Sequence, residues 1–129
     1  MTPDELKSLT VLMVDDDEMS RDFNLHVLGR LGITKVLVAE DASTGRALVD
    51  AHMPDFALLD IYMPDGDGWD LLKHIRRASP KTLVIMVTGT NRPADFDQSL
   101  ASFADGFCIK PVLPDVLKKA MINARNSRK

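Results

Sequence analysis

The sequence is poor in cysteine: Cys108 is the only one among 129 residues. A single thiol excludes an intrachain disulfide and a cysteine-based metal site, and it agrees with the reducing cytoplasm in which we expect the protein. Long apolar runs are also missing, so the sequence predicts no membrane span and no membrane partner. The first residues are acidic where a signal peptide needs positive charge, which argues against secretion.

An excess of basic residues is absent as well. The chain has 16 lysine and arginine residues against 19 aspartate and glutamate residues, so its net charge is -3 and nucleic-acid binding is not expected. The length fits one domain that can bury a core without disulfides or structural metals. We assign residues 10–125 to this domain, 1–9 to an N-terminal extension and 126–129 to a C-terminal tail.

Segments of two kinds alternate along the chain. Short apolar runs rich in β-branched residues predict strands buried on both faces, and these runs lie at 11–14, 36–39, 56–59, 83–87 and 107–109. Between them, apolar residues recur at helical spacing within 19–31, 47–51, 71–78, 96–103 and 116–124. The alternation predicts an α/β fold of the (βα)5 type, with a doubly wound, five-stranded parallel sheet and helices on both faces.

Polar side chains stand at the ends of four of the apolar runs. Asp15 and Asp16 follow the first run, Asp60 the third, Thr88 the fourth and Lys110 the fifth. The carboxyl ends of parallel strands share one edge of the sheet, and ligands of open α/β sheets bind at that edge. We therefore expect these groups to converge in one pocket.

The carboxylates in that pocket call for a cation. Two carboxylates about 5 Å apart repel by roughly 3 kcal/mol at an effective dielectric constant near 20, and one lysine cannot offset the repulsion among three of them. Clustered oxygen ligands with negative charge favour Mg²⁺, with Mn²⁺ as an alternative. The sequence therefore predicts a divalent cation site at the strand ends.

A carboxylate beside such a cation can attack phosphorus and form an aspartyl phosphate. The step depends on positioning and on charge neutralisation more than on covalent help from the protein. Lys110 can bind a phosphoryl oxygen as a point charge, and Thr88 can donate a hydroxyl hydrogen bond to another.

Four segments carry a family resemblance. They read VLMVDDD at 11–17, LLDIYMP at 58–64, VIMVTG at 84–89 and FCIKP at 107–111. In this order and on these predicted elements, the sequence resembles the receiver domain of two-component response regulators, and in particular a single-domain receiver similar to the chemotaxis regulator. The likeness runs over nearly the whole chain, from about residue 10 to residue 124.

The resemblance implies a fold and a chemistry. The strand order would be 2-1-3-4-5, as in flavodoxin. Asp60 would accept a phosphoryl group from a sensor histidine kinase or a histidine phosphotransfer protein. Asp15, Asp16, Asp60 and the backbone carbonyl of Tyr62 would hold Mg²⁺ or Mn²⁺, while Thr88 and Lys110 would contact the phosphoryl group.

The resemblance also implies a switch. Thr88 would move toward the phosphoryl group and Phe107 would turn inward, and these movements would alter the face formed by the fourth helix, fifth strand and fifth helix of the repeat. That face would bind a downstream protein. The chain would be no conventional enzyme: it would catalyse only its own phosphotransfer and dephosphorylation, as a monomer or a phosphorylation-dependent dimer. A cis Lys110–Pro111 bond is expected on the same grounds.

Two other functions compete with this interpretation. A magnesium-dependent phosphatase of the haloacid dehalogenase type would use Asp15 as its nucleophile, but the motif around it is incomplete. A receiver fold used only as a docking module would need no acids, and the complete set of acid, threonine and lysine argues against it. An Asp60 variant and an Asp15 variant separate the phosphatase from the receiver.

Overall fold

A computed structural model describes residues 1–63, 65–89 and 104–128, apart from the side chains of Tyr62, Asp67 and Thr88. Its strands are β1 Thr10–Val14, β2 Lys35–Ala39, β3 Phe56–Asp60, β4 Tyr62–Met63, β5 Gly66–Asp67, β6 Leu83–Thr88 and β7 Gly106–Ile109. Five of them form a parallel sheet in the order β2-β1-β3-β6-β7, while β4 and β5 form a short antiparallel hairpin. The predicted order 2-1-3-4-5 is confirmed.

The helices lie on both faces of this sheet, as predicted. They are α1 Pro3–Ser8, α2 Glu18–Arg30, α3 Ala42–His52, α4 Gly68–Ala78 and α5 Pro114–Ser127. Residues of α2 and α5 share one apolar cluster on one face, and residues of α3 and α4 share a second cluster on the other. The helical stripe at 96–103 lies outside the described residues.

The centre of the sheet is more completely buried than its edges. Strand β1 is buried from Val11 to Val14, as the continuous apolar run predicts. The prediction that all five strands are buried on both faces is wrong for the outer strands, where Val38 of β2 is 40% exposed and Ile109 of β7 is 39% exposed. The described helices cover the middle of the sheet, so apolar side chains of its outer strands reach solvent.

Helix caps explain where several elements begin. The carboxylate of Asp17 accepts a hydrogen bond from the Ser20 amide at the start of α2, and Asp41 does the same for Thr44 in α3. Pro114 occupies the first turn of α5, where its missing N–H costs nothing.

Helix α1 has no counterpart in the sequence prediction. Thr2 caps it by accepting from the Glu5 amide, and Leu6 is buried in the first apolar cluster.

The proposed boundaries of extension, domain and tail stay a prediction. Among the described residues, no helix combines the length and the apolar character of a membrane span.

Candidate functional site

Three carboxylates meet where β1 and β3 end. Asp15 and Asp16 follow β1, and Asp60 is the last residue of β3, which pairs with β1 in the sheet. One oxygen of each carboxylate lies within 4.8 Å of those of the other two. The parallel pairing of the two strands therefore brings together side chains that are 45 residues apart in the sequence.

Asp15 is the most enclosed of the three. Its side chain is 2% exposed, and its carboxylate accepts hydrogen bonds from the Ser20 hydroxyl at 2.6 Å and from the Asp17 amide at 3.0 Å. Burial alone would raise the pKa of Asp15, but the hydrogen bonds from Lys110, Ser20 and the Asp17 amide outweigh it and hold that pKa below its ordinary value. Asp15 is therefore held as a carboxylate.

Lys110 stands between two of the acids. Its ammonium group donates to Asp15 at 2.7 Å and to Asp60 at 3.2 Å. Burial alone would lower the pKa of Lys110, but the hydrogen bond to Asp15 and the negative charge of Asp60 outweigh it, so the pKa lies above its ordinary value. The bond between Lys110 and Pro111 is cis, as expected.

The charges within this cluster do not balance. Among the described residues that form the cluster, three carboxylates and the Lys110 ammonium group leave an excess of two negative charges. Clustered carboxylate oxygens are hard ligands that suit Mg²⁺, and their separation allows one ion to contact more than one of them. The donor set thus fits a divalent cation, which would supply positive charge next to a phosphoryl group.

Two of the remaining predicted residues, Thr88 and Tyr62, lie at or just beyond the ends of strands, and Phe107 lies within strand β7. Thr88 ends β6 and pairs with Ile109 of β7, and Tyr62 follows Asp60 by two residues and pairs with Asp67. The side chains of Thr88 and Tyr62 lie outside what the structure describes. Phe107, on β7, is partly buried against the second apolar cluster. The structure leaves the roles of these three residues untested.

The loop after Asp60 folds back on itself. The Gly68 amide donates to the Ile61 carbonyl at 2.7 Å, which closes the segment that contains the β4–β5 hairpin. Gly68 lies so close to this point that a Cβ atom there would overlap the carbonyl oxygen of Asp60. The loop therefore returns to the end of strand β3 at the residue where helix α4 begins.

Two residues at this site were missed in the sequence. Ser20 donates to the Asp15 carboxylate, and Arg21 donates from its guanidinium group to the Asp15 carbonyl at 3.0 Å. Both lie in the first turn of α2, just after the Asp17 cap. Asp17 is a recognisable helix cap in the sequence. It could have indicated that the first turn of α2, with Ser20 and Arg21, lies next to the end of β1.

The class of protein follows from fold, site and comparison together. The model of the response regulator receiver domain family matches residues 11–122, and this chain belongs to that family. It is a family of two-component signalling domains, as predicted from the four segments. The phosphatase interpretation with Asp15 as nucleophile receives no support from these comparisons.

Individual relatives agree with this assignment. The chain is 31% identical over 121 residues to the Probable C4-dicarboxylate response regulator DctR of Priestia megaterium, covering 93% of this chain and 53% of that protein. A receiver domain protein (CheY-like) from Methanospirillum hungatei JF-1 superposes with a TM-score of 0.81 at 33% identity, covering 94% of this chain and 98% of that one.

The receiver domain of the putative response regulator NarL from Mycobacterium tuberculosis gives a TM-score of 0.83 at 29% identity, covering 92% of this chain and 98% of that one. The chain spans about half the length of the DctR relative and 60% of the curated NarL protein. What those longer proteins do as a whole is therefore a separate matter from what this domain does.

Proposed function

We propose that Asp60 accepts a phosphoryl group from a phosphohistidine of a sensor histidine kinase or a histidine phosphotransfer protein. The observation that carries the proposal is the convergence of Asp15, Asp16 and Asp60 within 4.8 Å around the ammonium group of Lys110. A purely structural cluster would neutralise its charges, whereas this one keeps an excess of negative charge at the edge where α/β sheets bind ligands.

Each residue has a part in the transfer. A carboxylate oxygen of Asp60 attacks the phosphorus atom, the bond from phosphorus to the donor imidazole nitrogen breaks, and the electron pair stays on the imidazole. Asp15, Asp16, Asp60 and the Tyr62 carbonyl would hold Mg²⁺, or Mn²⁺ in its place, and the ion would supply positive charge beside the phosphoryl group. Lys110 and the Thr88 hydroxyl bind phosphoryl oxygens, and Lys110 enters the reaction as an ammonium group, in agreement with its raised pKa in the structure.

Phosphorylation then biases a two-state equilibrium. Thr88 moves toward the phosphoryl group, and Phe107 takes a more buried position against the second apolar cluster. The surface that includes β7 and α5 changes its affinity for a downstream protein. The chain acts as a signalling domain that catalyses only its own phosphotransfer and dephosphorylation.

Labelling with acetyl phosphate tests the proposal. We expect the intact protein to gain the mass of one phosphoryl group in the presence of Mg²⁺ and to gain nothing with EDTA. The bond should be labile to hydroxylamine, which cleaves acyl phosphates. Asp60→Asn should abolish the labelling, because the amide nitrogen is no nucleophile toward phosphorus.

Asp17→Asn is the matched control. Asp17 neighbours the cluster in sequence but caps helix α2, and asparagine caps a helix equally well. This variant should be labelled like the wild-type chain. Labelling that persists in Asp60→Asn and disappears in Asp15→Asn would contradict the proposal.

A further inference from the structure

Asp65 connects the loop after Asp60 to a helix elsewhere in the chain. One carboxylate oxygen of Asp65 accepts from the Ala42 amide at 2.8 Å, and the other accepts from the Ser43 amide at 3.0 Å. These amides belong to the first turn of helix α3, 22 and 23 residues earlier in the sequence. Their hydrogen bonds hold the pKa of Asp65 below its ordinary value.

Helix α3 already has a cap of its own. Asp41 accepts from the Thr44 amide at 2.7 Å, so the helix begins with a local carboxylate in place. Asp65 satisfies the two amides that Asp41 leaves, although it is exposed and lies in a different segment. The two carboxylates therefore stabilise the same helix end, but only Asp65 links it to the loop.

The loop is thereby fixed at two places. The Gly68 amide bonds to the Ile61 carbonyl beside Asp60, and Asp65 holds the turn of the hairpin against α3. Tyr62 lies between these two points on the paired strand β4. The direction of the Tyr62 carbonyl is set by the backbone dihedral angles alone, so it depends on how the loop is held.

We infer that Asp65 is a positioning residue that fixes the direction of the Tyr62 carbonyl and so raises the affinity of the acidic site for Mg²⁺. The inference rests on the proposed function, because it assumes the cation site at Asp15, Asp16 and Asp60. Groups that orient metal ligands without touching the metal commonly contribute about 10-fold or more to metal affinity.

Mg²⁺ titration by calorimetry tests the inference, using the metal alone and variants of the whole 129-residue chain. Asp65→Ala should weaken Mg²⁺ binding by about 10-fold. Asp65→Asn should fall between this variant and the wild-type chain, because its carbonyl oxygen can accept from only one of the two amides. The rate of labelling by acetyl phosphate should be reduced at low Mg²⁺ and should recover fully at saturating Mg²⁺.

Asp41→Ala is the control. If Asp65 only stabilised the helix end, Asp41→Ala and Asp65→Ala would have the same effect on Mg²⁺ binding. It removes a carboxylate from the same helix end, so it should lower the melting temperature as Asp65→Ala does. Its Mg²⁺ affinity should stay within about twofold of the wild-type value, because Asp41 does not hold the loop. All titrations are made at a temperature where circular dichroism shows each variant folded.

The outcomes separate this inference from the proposed function. Equal Mg²⁺ affinities in Asp65→Ala and Asp41→Ala overturn the positioning role while wild-type labelling at Asp60 leaves the proposed function intact. A wild-type chain that binds no Mg²⁺ and takes no label overturns both. A labelling defect in Asp65→Ala that saturating Mg²⁺ does not repair also overturns the positioning role.

Discussion

Carboxylates lie at both edges of the sheet, but their hydrogen-bond and ionic partners differ between the two edges. Where the strands end, Asp15, Asp16 and Asp60 lie together, and among the described residues the ammonium group of Lys110 pairs with Asp15 and Asp60. Where the strands begin, Asp105 is bonded by the Val84 amide and by two guanidinium groups. The described residues of one edge carry excess negative charge, and those of the other surround the Asp105 carboxylate with donors.

The Asp105 contacts tie three elements together. Arg76, in the last turn of α4, donates to one oxygen of Asp105 at 2.7 Å, and the Val84 amide of β6 donates to the same oxygen at 2.8 Å. Arg128, after α5, donates to the other oxygen at 2.9 Å. The Asp105 side chain is 7% exposed. Acids that outnumber their described cationic partners thus mark the edge that we assign to chemistry, whereas each oxygen of the Asp105 carboxylate pairs with a guanidinium group at the edge that holds the fold.

Asp105→Asn should have the largest effect on the free energy of unfolding. It removes the ionic partner of Arg76 and Arg128. The amide NH₂ also cannot accept a hydrogen bond, whereas both oxygens of the Asp105 carboxylate do. We expect a loss of about 2–3 kcal/mol in urea unfolding, with labelling at Asp60 unchanged where the protein is folded. A loss below about 0.5 kcal/mol would put this cluster in the range of surface ion pairs.

Lowering the pH should reduce the difference in the free energy of unfolding between the wild-type chain and Asp105→Asn. Burial alone would raise the pKa of Asp105, but the bonds from Val84, Arg128 and Arg76 outweigh it and hold that pKa below the ordinary value of 3.8. The folded state therefore releases this proton more readily than the unfolded state. The stabilisation is complete above the unfolded pKa and is lost as the pH falls through the lower folded pKa.

Urea unfolding of the wild-type chain and Asp105→Asn at a series of pH values checks this. The gap in stability between them should be constant from about pH 7 to pH 5 and should narrow below about pH 4. Other acids titrate in both proteins and cancel in the difference. A gap that widens on acidification would contradict the assignment.

Asp16→Asn should act in the opposite direction at the other edge. Removing one of three mutually repelling carboxylates should stabilise the protein by about 1 kcal/mol in EDTA, given the exposure of Asp16. Added Mg²⁺ should stabilise the wild-type chain more than the variant. If Asp16→Asn is destabilising without metal, the three carboxylates do not repel one another as we infer, and the contrast between the two edges of the sheet is wrong.

Glu40→Gln should have the smallest effect. Glu40 follows β2 at the same edge as Asp15, but its side chain is 71% exposed and lies 3.7 Å from Arg21. Its removal should change stability by less than about 0.5 kcal/mol and Mg²⁺ affinity by less than about twofold. A larger loss of Mg²⁺ affinity would mean that the general charge of this edge binds the cation, in place of the three convergent carboxylates.

The sequence predicts the sheet and the position of its acidic site because both depend on local pattern. Apolar runs that alternate with helical stripes imply parallel strands, and parallel strands bring their carboxyl ends together. Asp15, Asp60 and Lys110 could therefore be placed side by side from the sequence alone. The cis bond at Lys110–Pro111 came from the family resemblance and is confirmed.

The contacts of Asp65 and Asp105 could not be predicted in this way. Both lie in loops, where a carboxylate is indistinguishable in sequence from one that is simply solvated. Their partners are 21 to 29 residues away and are reached only through the placement of whole helices. The exposure of Val38 and Ile109 was missed for a related reason, since an apolar run does not say where its strand lies in the sheet.

Gly68 sets a limit on how this sequence can diverge. Every other amino acid carries a Cβ atom, which would collide with the carbonyl oxygen of Asp60. Random mutagenesis should find position 68 closed to all replacements, although its own side chain does no chemistry. Gly29, where an added Cβ meets nothing within 4 Å, should accept substitutions freely. The mutational tolerance of these two glycines thus depends on what an added Cβ atom would meet, which at position 68 is the backbone carbonyl of Asp60.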